Sequence, residues 1–230
     1  MKAMILAAGR GQRMAPLTDH CPKPLLALAG KPLIEHHIDK LVAAGMADLV
    51  INHAWLGEMI EARLQDGHQF GANIRYSAET DALETAGGIR KALPLLGDQP
   101  FLVINGDVWT DWDYREAVQV ASSEMVTGNT LAWLWLTDNP DHNPTGDFFL
   151  DGTDVAAEAD GPGFTFTGIS LIHPDLLAAL PVAKQPLAPI LRQAMDSGRV
   201  KGCLLDGRWT DVGTPQRLAE LEQQLTRETF

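Results

Sequence analysis

Two cationic side chains lie in an N-terminal segment whose backbone is suited to holding a phosphate group. Gly9 and Gly11 follow an apolar run that ends at Ala8, and two glycines at this spacing let a backbone turn sharply and direct several N–H groups at one anion. Arg13 adds a guanidinium, whose planar fork suits phosphate oxygens. An ordinary strand-to-loop turn is the alternative interpretation of the glycine pair taken alone.

Lys23 is the second cation, and its backbone is stiff. Pro22 and Pro24 fix φ on both sides of it and favour an extended conformation at Lys23. The sequence therefore predicts a phosphate-binding loop with Arg13 at its start and Lys23 at its exit. Two common phosphate motifs are missing: Met14 stands where the dinucleotide fingerprint has its third glycine, and no G-x-x-x-x-G-K-[ST] string occurs.

Two aspartates are candidates for binding a metal ion. Asp107 follows the apolar run 101–104, and ligands of α/β sheets lie beyond the carboxyl ends of the strands. Asp211 lies in the string 209–215, WTDVGTP. Mg²⁺ typically takes one or two protein carboxylates together with phosphate oxygens and water. The structural alternatives are a helix-capping turn at Asp107 and a helix entry at Thr214-Pro215 after Asp211.

The elements that position these residues alternate between strand and helix in the first half of the chain. Apolar runs and amphipathic patterns predict strands and helices at spacings typical of parallel β-α-β units with right-handed crossovers. We expect an α/β fold with a doubly wound, mostly parallel, Rossmann-like sheet. The predicted strands are 2–8, 48–52, 73–77 and 101–105, and the predicted helices are 32–44, 56–64 and 84–96, the last interrupted by Pro94.

The second half of the chain differs from the first in its pattern of predicted elements. Asp151-Gly152 between two short runs indicates a hairpin within 147–155. The other predicted strands are 129–137, 164–173 and 200–205, and the helical candidates are 175–180, 188–197 and 214–226. No internal repeat or low-complexity linker divides the chain, so we expect a single domain over 1–230, with 1–110 and 111–230 as its two halves.

The charge and composition of the chain argue against several classes of binding partner and location. The net charge of −12 argues against nucleic acid and anionic membranes as partners. Residues 1–31 nevertheless carry +4, so the remainder carries −16, and a basic segment in an acidic protein suits a small polyanion bound locally. No 18-residue apolar run and no signal-peptide pattern occur, and Cys21 and Cys203 form no disulfide framework. A cytoplasmic location is the expectation.

The N-terminal strings resemble the signature of the sugar-phosphate nucleotidyltransferases, written LAAGxGTRMxPLT, PKPLL and GKPLI. The matches are 6–14, 16–18, 22–26 and 30–34, with Gln12 where threonine is common. Asn105-Gly106-Asp107 and the 209–215 string resemble the two metal-binding motifs of that family. The resemblance implies an enzyme that condenses a nucleoside triphosphate with a sugar 1-phosphate, with a nucleotide-binding first half and a smaller sugar-binding lobe.

The resemblance also assigns roles to residues. Arg13 and Lys23 become catalytic cations at the phosphates, and Asp107 and Asp211 become the ligands of Mg²⁺. The nucleobase segment precedes the helix at 84–96. The residues with an implied nucleotide-binding role are Gly9, Gly11, Gln12, Arg13, Lys23, Glu79, Glu84, Thr85 and Gly87.

Two departures from the family pattern leave details open. Glu84 stands where glycine is common, and an acidic residue that suits a helix N-terminus is its alternative interpretation. Ala159 follows Glu158 where a lysine would hold the sugar phosphate, so Lys201 and Arg208 are candidate substitutes. The implied sugar-phosphate-binding residues are Asn105, Gly146, Glu158 and Gly168.

Three further strings, ETAGGI, PDHNPTGDFFL and FTFTGISLIHP, are similar to those of family members that transfer a uridylyl group to N-acetylmuramic acid α-1-phosphate. The resemblance thus implies UTP and that sugar 1-phosphate as substrates, in peptidoglycan recycling. Transfer of a guanylyl group to mannose 1-phosphate is one alternative, and a non-catalytic relative that senses nucleotide-sugars is another. The scattered histidines are not expected to be catalytic or to bind metal.

Overall fold

The first strand is apolar on both faces, and its alternate residues enter two different cores. The computed structural model describes residues 1–228. In β1 (Ala3–Ala7), Ile5 packs with one cluster of buried side chains and Met4 with the other. A strand buried on both faces is typical of a sheet covered by helices on both sides. β1 accordingly lies inside the sheet, between two parallel neighbours.

The elements alternate along the chain as the first-half pattern predicted, and most predicted bounds differ from the observed ones by one to three residues. The helices are α1 (Leu33–Ala43), α2 (Gly57–Leu64), α3 (Glu84–Leu96), α4 (Arg115–Glu124), α5 (Leu187–Met195) and α6 (Pro215–Glu228). The further strands are β2 (Ala27–Leu28), β3 (Lys31–Pro32), β4 (Asp48–His53), β5 (Asn73–Ala78), β6 (Phe101–Asn105), β7 (Val108–Thr110), β8 (Ala132–Thr137), β9 (Phe149–Asp151), β10 (Asp154–Ala156), β11 (Thr165–Ile172), β12 (Val200–Leu204) and β13 (Trp209–Asp211).

One sheet runs through both halves of the chain. Its nine strands have the order β5-β4-β1-β6-β11-β8-β12-β10-β9. The four strands of the first half are mutually parallel, as predicted, whereas β11 is antiparallel to β6 and to β8, so the whole sheet is mixed. β7 pairs with β13 in a separate two-stranded ladder. The α/β class is confirmed.

Helices cover both faces of the sheet. One buried cluster joins the sheet to α1, α2 and α4, and the other joins it to α3 and α5. Both clusters contain side chains from the first and the second half of the chain. The two halves are therefore held together by shared cores as well as by shared strands.

Several local predictions were wrong. Residues 175–180 do not form a helix; a single 3-10 turn at Pro174–Leu176 stands there. α3 is not interrupted: it continues to Leu96 with Pro94 in its last turn. The sequence also missed α4 and the short strands β7 and β13. Ala117, Val120 and Ala121 of α4 pack against the core at helical spacing, so the apolar stripe that the sequence prediction overlooked is short and consists of small side chains.

The buried imidazole of His37 ties α1 to the strand that follows Asp107. Its Nε2 donates to the Val108 carbonyl at 2.8 Å, and its Nδ1 accepts from the Tyr114 hydroxyl at 2.7 Å, an arrangement that needs the neutral ring. Lys40, one turn further along α1, donates to the Thr110 carbonyl at 2.8 Å. Burial lowers the pKa of His37 from 6.5 to about 4, with nearby Lys40 acting in the same direction and Asp107 against it.

We expect His37 to make the protein less stable in mild acid. Because its pKa is lower in the folded protein, the unfolded chain binds the additional proton between pH 6.5 and 4, and stability falls as the pH falls through that window. The loss from this group between pH 7 and pH 5 is about 2 kcal/mol. Urea unfolding at both pH values should show a smaller difference for His37→Gln, whose amide keeps a donor and an acceptor but does not titrate. An equal pH dependence in the variant would contradict the assignment.

Candidate active site

The carboxyl ends of three adjacent parallel strands open into one cavity of about 540 Å³. Asn52 at the end of β4, the loop after β1 and Asn105 at the end of β6 all line it. The order of these strands in the sheet gives the cavity a β4 side and a β6 side, with the Gly9–Arg13 loop between them. This is the position that the sequence predicted for a ligand.

The loop after β1 is folded tightly onto Lys23. Gly11 has the left-handed φ of +67° and begins a 3-10 turn over Gln12–Met14. A Cβ added at Gly11 would lie 3.2 Å from the Lys23 Cβ, so both its conformation and its packing favour glycine. The Thr18 hydroxyl donates to the Gly11 carbonyl at 2.9 Å and closes the turn.

Lys23 and Asp107 meet in an ion pair although they are far apart in the sequence. The Lys23 ammonium lies 2.6 Å from Asp107 Oδ2. The Lys23 side chain is 8% exposed and that of Asp107 is 40% exposed, so the pair reaches from the protein interior to the cavity that both residues line. A buried ammonium needs such a partner, because an uncompensated charge is costly to bury.

Asp211 is brought beside Asp107 by the β7–β13 ladder. In that ladder Asp211 lies opposite Val108, and the Val212 N–H donates to the Asp107 carbonyl at 2.8 Å. The two predicted metal-binding aspartates are therefore neighbours: Asp107, which lines the cavity, directly precedes β7, and Asp211 ends β13. Across residues 1–228 no group of three or more Asp, Glu, His or Cys side chains is arranged to hold a metal ion.

Arg217 and His142 hold the Asp211 carboxylate. Arg217, in the first turn of α6, donates from Nη1 to both carboxylate oxygens, and His142 Nε2 lies 3.0 Å from Oδ1. The other terminal nitrogen of Arg217 packs over Gly213, where an added Cβ would lie only 2.2 Å from it. Gly213 lines the cavity, so this guanidinium stands directly behind the cavity wall.

The two arginines of the loop differ in their surroundings. Arg10 stacks over the Trp55 ring at 3.5 Å and pairs with Asp19 at 3.6 Å. Arg13 is exposed, lines the cavity, and forms no ion pair with any residue that the structure describes. Arg13 is therefore the cation of this loop that is available to an anionic ligand.

Glu79 supports the cavity without lining it. Its buried carboxylate accepts from Asn52 Nδ2 at 2.7 Å and from the Leu83 N–H at 2.8 Å. The Asn52 side chain in turn accepts from the Ala7 N–H at 3.0 Å. This network fixes Asn52, which does line the cavity, and the chain entering α3. The sequence predicted a nucleotide-binding role for Glu79, and in the structure its carboxylate contacts Asn52 and the Leu83 N–H.

A backbone strap packs over the start of α3 and brings Lys184 to the cavity. We define the strap as residues 183–185. The Ala86 and Gly87 N–H groups donate to the Gln185 carbonyl at 3.0 and 3.2 Å, and the Gln185 N–H donates to the Leu83 carbonyl at 2.9 Å. A Cβ added at Gly87 would lie 2.1 Å from the Ala183 carbonyl oxygen. The strap thus accepts the hydrogen bonds of these N–H groups at the helix start. The lack of a side chain at Gly87 lets the strap backbone approach the helix closely.

The four implied sugar-phosphate residues are not all in one place. Asn105 lines the cavity, and an added Cβ at Gly168 would lie 2.5 Å from the Asn105 amide nitrogen, so this glycine packs directly against it. Gly146 instead packs on the backbone of Gly163, and Glu158 lines a separate cavity of about 340 Å³. The structure therefore supports the first pair and separates the second pair from the main cavity.

Neither candidate substitute for the missing lysine lines the cavity. Lys201 pairs with Asp154, and Arg208 pairs with Asp111 at 2.6 Å. The lysine of the second half that does line it is Lys184, on the strap. Sequence reasoning missed Lys184, because its place depends on where the strap docks.

Asn52 and Arg217 were missed for different reasons. Asn52 follows the apolar residues 49–51 as Asn105 follows 101–104, so the same signal of a polar residue at a strand end was available. Arg217 carries no such signal, since its contact with Asp211 depends on how α6 begins.

Comparison with known proteins gives a consistent family. The nucleotidyl transferase family profile matches residues 2–143. An N-acetylmuramate alpha-1-phosphate uridylyltransferase from Neisseria meningitidis is 54% identical over 96% of this chain and 97% of its own length. One from Caulobacter vibrioides is 34% identical over 97% of this chain and 96% of its own.

Solved structures share the fold at lower identity. A Bacillus anthracis protein described as a glucose-1-phosphate thymidylyltransferase, crystallised with sucrose, superposes with a TM-score of 0.85 at 23% identity and covers 97% of this chain and 94% of its own. HddC of Yersinia pseudotuberculosis gives a TM-score of 0.79 at 20% identity over 97% of this chain and 99% of its own. Within residues 1–228, none of the helices has the length and apolar character needed to cross a bilayer.

We expect Gly87→Ala to displace the strap. Because its Cβ would meet the Ala183 carbonyl oxygen, backbone must move, and overpacking of this kind costs roughly 1–3 kcal/mol. Urea unfolding measures the loss. Gly9→Ala is the control, because Gly9 likewise has no positive φ but has open space where the added Cβ would lie. Equal losses in both variants would contradict the strap contact as the cause.

Proposed function

The chain belongs to the nucleotidyl transferase family, and from this we propose that it condenses UTP with N-acetylmuramic acid α-1-phosphate to UDP-N-acetylmuramic acid and pyrophosphate. The observation that carries the proposal is the 54% identity, over nearly the whole of both chains, with an N-acetylmuramate alpha-1-phosphate uridylyltransferase. The reaction takes two polyanions, and the cavity with its cations Arg13, Lys23 and Lys184 suits them. The proposed setting is peptidoglycan recycling in the cytoplasm.

The chemistry needs no general base. A sugar 1-phosphate is largely dianionic near neutral pH, since the second pKa of a phosphate monoester is about 6. One of its oxygens attacks the α-phosphorus of UTP and forms a new P–O bond. The bond from that phosphorus to the bridging oxygen of the β-phosphate breaks, and pyrophosphate leaves with the electron pair. The protein has to position the reactants and stabilise the charge that develops.

The cations of the cavity act at two positions in this reaction, the leaving pyrophosphate and the α-phosphate. The Gly9–Gln12 loop and Arg13, which has no ion pair within residues 1–228, hold the β- and γ-phosphates and neutralise the leaving pyrophosphate. Lys23 lies deeper, on the Asp107 side, and stabilises the charge at the α-phosphate. Asn105, with Gly168 packed against it, faces the sugar.

Asp107 and Asp211 would hold Mg²⁺. Two carboxylates brought together by the β7–β13 ladder are a donor set that suits this cation, which takes hard oxygen ligands and completes its shell with phosphate oxygens and water. When bound, Mg²⁺ supplies charge neutralisation at the reacting phosphates. Lys23 at Asp107 and Arg217 at Asp211 fix the two carboxylates in place.

A grid of nucleotides and sugar 1-phosphates tests the proposal. Pyrophosphate release should be fastest with UTP and N-acetylmuramic acid α-1-phosphate among UTP, GTP, CTP and dTTP and several sugar 1-phosphates. A mannose-1-phosphate guanyltransferase from Gibberella zeae is 30% identical over 94% of this chain, which covers 62% of that protein. Preference for GTP with mannose 1-phosphate would therefore replace the proposal with that activity, and tight nucleotide-sugar binding without pyrophosphate release would indicate a non-catalytic relative.

Replacement of Lys23 should slow the chemical step. We expect Lys23→Ala to lower kcat at saturating substrates by about 10²–10³, the usual cost of losing one preorganised charge-stabilising group. Lys23→Arg keeps the charge and the partner Asp107. Thermal unfolding of each variant separates lost catalysis from lost folding, since the alanine variant leaves Asp107 without its cation. Near-normal kcat in the folded alanine variant would remove Lys23 from this role.

Replacement of either aspartate should weaken metal binding. We expect Asp107→Asn and Asp211→Asn each to raise, by tenfold or more, the Mn²⁺ concentration needed for half-saturation in the presence of UTP, because a neutral amide replaces an ionised ligand. Electron paramagnetic resonance of free Mn²⁺ measures this without turnover. Asp113→Asn, at an aspartate paired with Arg115, is the control. Unchanged Mn²⁺ binding in both site variants would overturn the assignment.

A further inference from the structure

The Asp211 carboxylate has both of its oxygens engaged by an internal cation. Arg217 Nη1 donates to Oδ1 and to Oδ2. A single nitrogen within hydrogen-bonding reach of both oxygens lies in front of the carboxylate, which is where any other cation would approach it. The Arg217 and Asp211 side chains are 17% and 22% exposed, so water and salt screen this ion pair less than a surface pair. Arg217 is therefore a direct competitor of a divalent cation for Asp211.

The charges around the two aspartates cancel. Lys23 pairs with Asp107 and Arg217 pairs with Asp211, so two cations face two carboxylates. A divalent cation gains little attraction from carboxylates that are already neutralised. A nucleoside triphosphate brings several negative charges into the cavity, and a cation that enters with it is bound by phosphate oxygens as well as by the aspartates.

The fold holds these two cations with different firmness. The Lys23 side chain is 8% exposed, and the phosphate loop packs along its stem at Gly11. Arg217, in contrast, has a second acceptor in reach, since its Nη1 lies 2.8 Å from His142 Nε2. The unprotonated nitrogen of a neutral imidazole accepts hydrogen bonds, and a guanidinium only donates them. Arg217 can therefore leave Asp211 and keep a partner.

The loop that carries His142 is fixed by side-chain hydrogen bonds. The Thr165 hydroxyl donates to Asn139 Oδ1 at 2.9 Å, and Asn143 Nδ2 donates to the Thr165 hydroxyl at 3.1 Å. These bonds tie the loop to β11 on both sides of His142. The imidazole is thus held beside Arg217 although its side chain is 42% exposed.

We propose that Arg217 is an exchangeable internal cation, which occupies the Asp211 carboxylate until a divalent cation enters together with the nucleoside triphosphate; this rests on the proposed function. While Arg217 holds Asp211, the carboxylate is fixed in place and neutralised, and the protein has little affinity for a free divalent cation. After the exchange, Arg217 donates to His142 and its charge stays behind the cavity wall at Gly213. Arg217 is thus a positioning residue that makes metal binding depend on nucleotide binding.

Mn²⁺ binding without nucleotide tests the sign of this effect. One opposite charge nearby changes the proton affinity of a carboxylate by about tenfold to thousandfold, and it should act on another cation in the same direction. We therefore expect Arg217→Gln to lower the Mn²⁺ concentration for half-saturation by about tenfold or more, measured by electron paramagnetic resonance of free Mn²⁺. Arg217→Lys keeps the charge and should stay closer to the parent. A permanent support of Asp211 would give the opposite result, weaker binding in Arg217→Gln, and would overturn the proposal.

Asp211→Asn shows where the additional Mn²⁺ binds. In this background Arg217→Gln should no longer tighten Mn²⁺ binding, because the carboxylate that the arginine would release is missing. Arg115→Gln, at an exposed arginine paired with Asp113, is the matched control and should leave Mn²⁺ binding unchanged. A gain from Arg217→Gln that persists beside Asp211→Asn would place the ion elsewhere and overturn the proposal.

The effect of UTP on Mn²⁺ binding tests the coupling itself. UTP should tighten Mn²⁺ binding more in the parent than in Arg217→Gln, since the variant has no ion pair to give up. Mn²⁺ bound by UTP alone is measured separately and subtracted. Equal tightening by UTP in the two proteins would contradict the exchange.

Gly213→Ala is the second variant, and it decides the matter should Arg217→Gln not fold. Its Cβ would lie 2.2 Å from Arg217 Nη2 and 3.1 Å from Asp211 Oδ2, so the flexible guanidinium has to move first while its charge is kept. Mn²⁺ binding without nucleotide should again tighten, and thermal unfolding checks that the variant is folded. Unchanged or weaker binding in the folded variant would overturn the proposal.

Failure of this inference is distinguishable from failure of the proposed function. The Mn²⁺ measurements without nucleotide do not depend on which nucleotide or sugar 1-phosphate the substrate grid identifies. If the metal assignment is wrong, Asp107→Asn and Asp211→Asn leave Mn²⁺ binding unchanged. If the assignment is right and only the exchange is wrong, those two variants weaken Mn²⁺ binding while Arg217→Gln fails to tighten it.

Discussion

The ion pair between Lys23 and Asp107 is the contact on which the proposed site depends. A nearly buried ammonium requires a carboxylate partner, and at 2.6 Å this one joins the N-terminal loop to the end of β6. The parallel pairing of β1 with β6 brings the two segments to the same edge of the sheet. Two further features of the site adjoin this ion pair. Gly11 packs on Lys23, and the β7–β13 ladder brings Asp211 beside Asp107.

The second half of the chain completes the cavity rather than forming a separate body. Its strands extend the same sheet, and its side chains enter the same two cores as those of the first half. Two of its segments reach the cavity directly. Lys184 of the 183–185 strap lines the cavity beside the start of α3, and Gly213 of the 209–217 region lines it next to Arg217, which holds Asp211. The cavity is therefore built by both halves of the chain.

Positive charge is gathered at the cavity of an otherwise acidic protein. The chain as a whole carries −12, yet four cations, Arg10, Arg13, Lys23 and Lys184, line the cavity. They differ in how firmly they are held: Lys23 is buried against Asp107, Arg10 is stacked on Trp55, and Lys184 is exposed beside Glu84. Arg13 has no ion pair within residues 1–228. A firmly held cation suits charge stabilisation at a fixed atom, whereas an exposed one suits a ligand that enters and leaves.

The sequence by itself determined the parallel first half, because apolar runs at regular spacing predict buried strands, and it predicted the phosphate loop and the four charged residues proposed for catalysis. It failed where a role depends on a distant partner. Asn52 was missed although it follows an apolar strand, and a buried network with Glu79 holds it at the cavity. Gly146 and Glu158 lie away from the main cavity, and Lys184 lies in it, because the docking of loops onto other elements is set by tertiary packing. The strain at Glu84 belongs to the same class, since a φ of +59° is imposed by the surrounding fold and leaves no trace in residue type.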